Sequence, residues 1–78
     1  MDKVFISLNS IDRVKKFVST ISEFKSEFDL ISGRYVIDAK SIMGIFSLDL
    51  SQPIQLEIHP IEEDPAVILD AIKPYVAS

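Results

Sequence analysis

The sequence has no cysteine, a single histidine and two glycines among its 78 residues. Without cysteine there is no disulfide framework, no thiolate metal site and no thiol nucleophile, which agrees with a cytoplasmic protein. One imidazole excludes a paired-histidine metal motif and leaves a single candidate for general-base, metal-ligand or phosphoryl-acceptor chemistry. The glycines lie too far apart for a phosphate-cradling loop. No apolar run approaches the roughly 20 residues needed to span a bilayer, and Met1-Asp2-Lys3-Val4-Phe5-Ile6-Ser7 lacks the layout of a signal peptide. Positive charge is also scarce. Eight Lys and Arg against 12 Asp and Glu leave a net charge of −4, which argues against a nucleic-acid binder and for protein partners.

What is present suffices for one core. The chain is 47% hydrophobic and 26% charged, in the range of soluble globular domains, and its length allows one domain over residues 1–78. Val4, Ile6 and Leu8 alternate with Phe5 and Ser7, which predicts a half-buried strand. From Ser10 the period lengthens. Ile11, Val14, Phe17, Val18, Ile21 and Phe24 mark the apolar stripe of a helix ending near Lys25, with Asn9 or Ser10 as its cap. Phe28–Ile31 and Tyr35–Ile37 flank Ser32-Gly33-Arg34 and read as a hairpin, with Gly33 supplying a positive φ. A short apolar helix is expected from Ser41 to about Leu48, with Gly44 inside it.

After Pro53 alternation returns, with Ile54, Leu56 and Ile58 inward and Gln55, Glu57 and His59 outward, until Pro60 closes the strand. Asp64-Pro65 is a cap followed by proline at the first helical position. Ile68, Leu69, Ile72 and either Tyr75 or Val76 line the last helix, which Pro74 should kink or end. The order βαββαβα defines an α+β domain of split-βαβ type, a four-stranded antiparallel sheet with three helices on one face. Fold of this kind does not settle function, because it hosts many activities.

Few residues carry chemistry. His59 has no orienting partner visible in the sequence and reads as an outward residue at a strand end. Glu62-Glu63-Asp64 matches no metal-loop spacing and reads as a solvated loop with a helix cap, so no metal or cofactor is expected. Arg13, Lys15 and Lys16 read as a solvated basic face. Phe5, Ile31 and Tyr35 are assigned to the outer face of the sheet. Ser41 stands where a helix opens, so its hydroxyl can cap an unpaired amide; the same position tolerates a phosphate.

Gly33-Arg34-Tyr35-Val36-Ile37-Asp38-Ala39-Lys40-Ser41-Ile42-Met43-Gly44-Ile45-Phe46-Ser47-Leu48 resembles the central segment of HPr, the histidine-containing phosphocarrier of the bacterial phosphoenolpyruvate-dependent sugar phosphotransferase system. The resemblance implies the family's open-faced β-sandwich from end to end. In the family a histidine within a His-Ala-Arg-Pro motif opens the first helix and shuttles a phosphoryl group, and a serine opening the second helix is phosphorylated by a dedicated kinase in Gram-positive relatives. Counting back from Ser41 without gaps sets Ser10-Ile11-Asp12-Arg13 against the first motif. The histidine is replaced by Ser10 and the family arginine by Asp12, with Arg13 one position further on.

A hydroxyl needs a separate base and its phosphoester transfers poorly, whereas an imidazole can both receive and donate phosphate. The resemblance therefore implies a non-enzymatic regulatory member, with Ser41 as the phosphorylation site and Ile42, Met43 and Phe46 as the partner-contacting patch. Expected partners are a serine kinase and a transcription regulator, as in carbon-catabolite repression, or other phosphotransferase proteins; direct contact with nucleic acid or membrane is not expected. Two other readings are a phosphocarrier with an atypical acceptor and an orphan ligand-sensing or structural module on the same scaffold.

Overall fold

The computed structural model describes residues 2–77. Its elements are β1 (Asp2–Ile6), α1 (Ile11–Ile21), β2 (Glu27–Ser32), β3 (Tyr35–Asp38), α2 (Ile42–Phe46), β4 (Ile54–His59) and α3 (Pro65–Ile72), followed by a 3₁₀ turn at Lys73–Tyr75. The strands form one sheet in the order β1-β4-β2-β3, every neighbouring pair antiparallel. This is the expected α+β arrangement.

Strand alternation builds the core. Registers align Val4, Leu56, Leu30 and Ile37 in one cross-sheet row, and Ile6, Ile54, Ile58 and Phe28 extend the same face. Val14, Phe17 and Ile21 of α1, Ile45 of α2, and Ile68 and Ile72 of α3 close over it. Tyr75 joins this core, its ring meeting Phe17 edge-on at 5.5 Å, while Val76 pairs with Ile6 along the outer edge of β1. Among the described residues no helix packs on the opposite face of the sheet. It presents an apolar row, Phe5-Gln55-Ile31-Val36, beside a charged row, Lys3-Glu57-Asp29-Asp38.

Several boundaries differ from the sequence reading for identifiable reasons. α1 ends at Ile21, not near Lys25, and Phe24 leaves the helical path to pack on Phe28 with ring centroids 6.3 Å apart. Ile11 is 63% exposed, because helical rotation sets it to one side of the buried stripe of Val14, Phe17 and Ile21. Leu8 is buried from a position past the end of β1. α2 stops at Phe46: the Ser47 hydroxyl donates to the Gly44 carbonyl at 2.6 Å, and the Ser47 and Leu48 amides make i to i−3 bonds, which tighten the chain out of the α-helix. Tyr35 has the strand parity of Ile37, not that of Ile31, so it belongs to the helix-side row and not to the open face.

The acidic run before α3 is more than a solvated loop. Asp64 caps α3, its Oδ1 accepting from the Ala66 amide at 2.9 Å. Glu63, however, reaches across to the turn between α1 and β2. Its carboxylate accepts from the Lys25 amide at 2.7 Å, the Ser26 amide at 2.9 Å and the Ser26 hydroxyl. Ser26 Oγ, fully buried, accepts in turn from the Ile61 amide at 2.8 Å. From the other side, Lys40 Nζ donates to the carbonyls of Phe24 and Ser26 at 2.7 and 2.9 Å.

The Ser26 hydroxyl, followed by the Lys25 amide, holds the Glu63 carboxyl below its ordinary value of 4.5. A carboxyl depressed in the folded state stabilises above its unfolded pKa, and that contribution is lost as pH falls through the folded pKa. Urea unfolding followed from neutral to acid pH should therefore show stability declining below about pH 4.5, with a shallower decline in Glu63→Gln. Equal acid slopes for the two proteins would exclude Glu63 as the titrating group.

Candidate functional site

Two helix starts hold the residues singled out by the sequence. At the first, Ser10 has extended backbone angles and caps α1, its Oγ accepting from the Arg13 amide at 3.2 Å. Asp12 lies in the first turn and pairs with Lys16 at 3.0 Å. The hydrogen bond from Lys16 to Asp12, aided by the attraction between them, raises the Lys16 pKa.

Arg13 does not belong to a solvated basic face. Its Nε donates to the Ser7 carbonyl at 3.0 Å, its Nη2 to the Pro74 carbonyl at 3.1 Å, and the guanidinium lies 5.3 Å from the centroid of the Tyr75 ring. Arg13 is thus committed to bracing α1 against the segment after α3. Serine hydroxyl, aspartate carboxylate and a guanidinium already bonded to two carbonyls make a poor receptacle for a phosphoryl group.

At the second helix start, Ser41 caps α2, its Oγ accepting from the Gly44 amide at 3.3 Å. Its own amide donates to the Asp38 carbonyl at 2.9 Å, which fixes the entry of the chain into the helix. The serine is exposed. Lys40 directs its ammonium away, towards Phe24 and Ser26. Beyond the cap, Met43 is 77% and Phe46 39% exposed, while Ile42 is half-buried against the core. Ile45 is fully buried. A helix this short cannot bury every side, so it presents a methionine and a phenylalanine beside the exposed hydroxyl. Gly44 is the position that lets α2 lie this close to β3: a Cβ there would fall 2.7 Å from Ile37 Cγ2.

His59 stands apart from both helix starts. It faces the open side of the sheet, with Nε2 at 3.1 Å from Asp29 Oδ2 and 3.3 Å from Glu57 Oε1. The sequence reading left it without an orienting partner; the register of β2 and β4 supplies two carboxylates. That register also sets His59 at the end of β4 away from Ile54 and Ile6, and therefore far along the sheet from the loop that carries Ser10. Among the described residues no group of three or more His, Asp and Glu side chains is arranged to hold a metal ion, and no helix is long and apolar enough to cross a membrane.

Sequence reasoning missed the constraint on Arg13 and the bridging role of Glu63. Their partners are backbone groups of Ser7, Pro74, Lys25 and Ser26, supplied by distant segments. Spacing rules contain no signal for such contacts.

The chain thus combines an open-faced four-stranded sheet with two helix starts capped by Ser10 and Ser41. The model of the family described as PTS HPr component phosphorylation site matches residues 13–78, and the chain belongs to this HPr family of the phosphotransferase system. The match begins at Arg13, just past Ser10 and Asp12. The crystal structure of HPr-C-His from Thermoanaerobacter tengcongensis is similar, with a TM-score of 0.76 and 28% identity over 95% of this chain and 89% of that one. No curated protein matches the chain.

Proposed function

We propose that this chain, acting as a single unit over residues 1–78, is a regulatory member of the HPr family that binds other proteins and does not carry phosphoryl groups itself. One observation supports the reading: Ser10, which the gapless count from Ser41 sets against the family phosphohistidine, has its hydroxyl engaged as the cap of α1. A phosphoryl carrier must hold its group in a bond labile enough to pass on. A phosphoimidazole meets that condition, and a serine phosphoester without an adjacent base does not.

Regulation in this reading centres on Ser41. Phosphorylation would add roughly −1.5 to −2 charge at a helix N-terminus, which accepts negative charge. Lys40 is turned away, so the new charge would stay unneutralised beside Met43 and Phe46. The readout is then a changed affinity for a protein that docks on Ile42, Met43 and Phe46, with α2 still folded. A serine kinase and a transcription regulator, or other phosphotransferase proteins, are the partner classes this implies, in the cytoplasm.

Two labelling reactions test the reading. With the first enzyme of the system and labelled phosphoenolpyruvate, the chain should acquire no acid-labile label; label on His59 would revive the carrier with an atypical acceptor. With a serine kinase of the family and ATP, acid-stable label should appear on the wild type and be absent from Ser41→Ala, and Ser41→Asp should partly mimic the modified form in partner binding. A wild-type chain left unmodified by such a kinase would favour the orphan module.

A further inference from the structure

The two edges of the sheet are treated differently. Along β1 the C-terminal segment covers the end of the edge at Phe5–Ser7: the Ser7 amide donates to the Tyr75 carbonyl and the Ala77 amide to the Phe5 carbonyl, both at 2.8 Å, and Val76 bridges to Ile6. Among the described residues no other strand follows β3 in the sheet. Val36 is 64% exposed there, and Arg34 and Asp38 are exposed on either side of it.

The free backbone groups of this edge follow from the hairpin. Gly33, with φ of 60°, and Arg34 form a two-residue turn, so the closing pair Ser32 and Tyr35 is hydrogen-bonded and bonded pairs alternate from there. Tyr35 and Ile37 therefore turn their backbone groups to β2. Ala39 continues the series, its amide donating to the Phe28 carbonyl at 2.9 Å. Val36 and the Asp38 amide are left pointing outwards, whereas the Asp38 carbonyl is taken by the Ser41 amide.

We propose that the β3 edge is a self-association surface whose partner is a second copy of this chain, paired antiparallel about a two-fold axis at Val36. In that register Val36 exchanges both backbone bonds with Val36 of the second copy, and each Asp38 amide meets the Arg34 carbonyl opposite. An isologous contact requires a patch complementary to itself, and the charges here meet that condition. Arg34, in the turn, and Asp38, at the end of β3, each stand two residues from Val36, so in this register each arginine comes opposite the other copy's aspartate.

Among the described residues neither Arg34 nor Asp38 forms an ion pair; the Asp38 carboxylate accepts from the Lys40 amide through Oδ1 at 2.9 Å. Asp38 instead sits directly opposite Asp29, an unfavourable like-charge pair that an incoming guanidinium would relieve. The apolar row ending at Val36 would continue into its twin across the axis. An edge carrying one sign of charge would repel its copy, the usual protection against such pairing; this edge lacks that protection. Because the strand is short the dimer is weak, in the transient class of interfaces.

Sedimentation equilibrium from low micromolar to millimolar concentration tests this, with amide exchange of Val36 and Asp38 followed over the same range. The expected result is a concentration-dependent dimer in which both amides gain protection. Val36→Pro removes an outward amide without touching the β2 ladder and should abolish dimerisation while circular dichroism is unchanged. Arg34→Asp replaces two exposed attractions by repulsions and should weaken the dissociation constant by roughly tenfold or more. Arg34→Asp with Asp38→Arg should recover it; if that double variant does not fold, the two single variants still decide. A monomer at all concentrations overturns the proposal, as does a dimer indifferent to Val36→Pro and Arg34→Asp.

Discussion

Gly44→Ala should lower the stability of this protein, although alanine is the better helix former. In an exposed helix interior the exchange favours folding by up to about 1 kcal/mol. Here the added methyl would sit 2.7 Å from Ile37 Cγ2 and 3.2 Å from Ser41 Oγ, so either α2 lifts from β3 or the cap is displaced. Overpacking of this kind costs about 1–3 kcal/mol and should outweigh the propensity gain. In a domain of this size each kcal/mol lowers the melting temperature by roughly 4–8 °C, well within reach of a thermal melt. The cause can be isolated in a double-mutant cycle, since Ile37→Ala removes the opposing methyl and should make the alanine at 44 harmless. A melting temperature that rises in Gly44→Ala alone would show that the helix does not need the close approach.

Arg13→Ala is the second large effect expected, and it separates a structural brace from a phosphate-binding residue. The substitution removes two hydrogen bonds from a charged donor to the carbonyls of Ser7 and Pro74. It also removes the contact with the Tyr75 ring. Hydrogen bonds to charged groups are worth about 1.5–3 kcal/mol each before the carbonyls recover water, so a net loss of about 2–3 kcal/mol is expected in urea unfolding. Arg13→Lys should recover little, because an ammonium lacks the planar fork that spans both carbonyls. Asp12→Ala, one residue earlier and paired only with exposed Lys16, should cost far less. Equal effects at positions 12 and 13 would mean that the bracing contacts contribute nothing.

The contrast between these residues explains how much was legible in the sequence. Period and punctuation identified all seven main elements and their order, because burial of one face imposes its spacing on strands and helices alike. Gly33, Ser10, Ser41 and Asp64 marked turns and caps through rules that act over a few residues, and each occupies that place in the structure. Ile11 was misassigned because it lies at the margin of the stripe that Val14, Phe17 and Ile21 bury, where spacing does not decide burial. Helix ends also escaped: Phe24 departs for Phe28 and Ser47 folds back on Gly44, choices made by tertiary contacts. For the candidate site, the helix caps at Ser10 and Ser41 were readable from local rules. The commitment of Arg13 and the carboxylates around His59 were not, since they depend on strand register and on a segment 61 residues away.

The pairing of β1 bears on how the chain acquires its structure. Its ladder partner is β4, and its outer edge is closed by Val76; both arrive from the second half of the sequence. The hairpin of β2 and β3 and the helices can form from local contacts in microseconds, but the first strand must wait for a long loop to close. Folding should therefore be slow for so small a domain, its rate governed by contact order. During synthesis β1 emerges well before either segment that pairs with it.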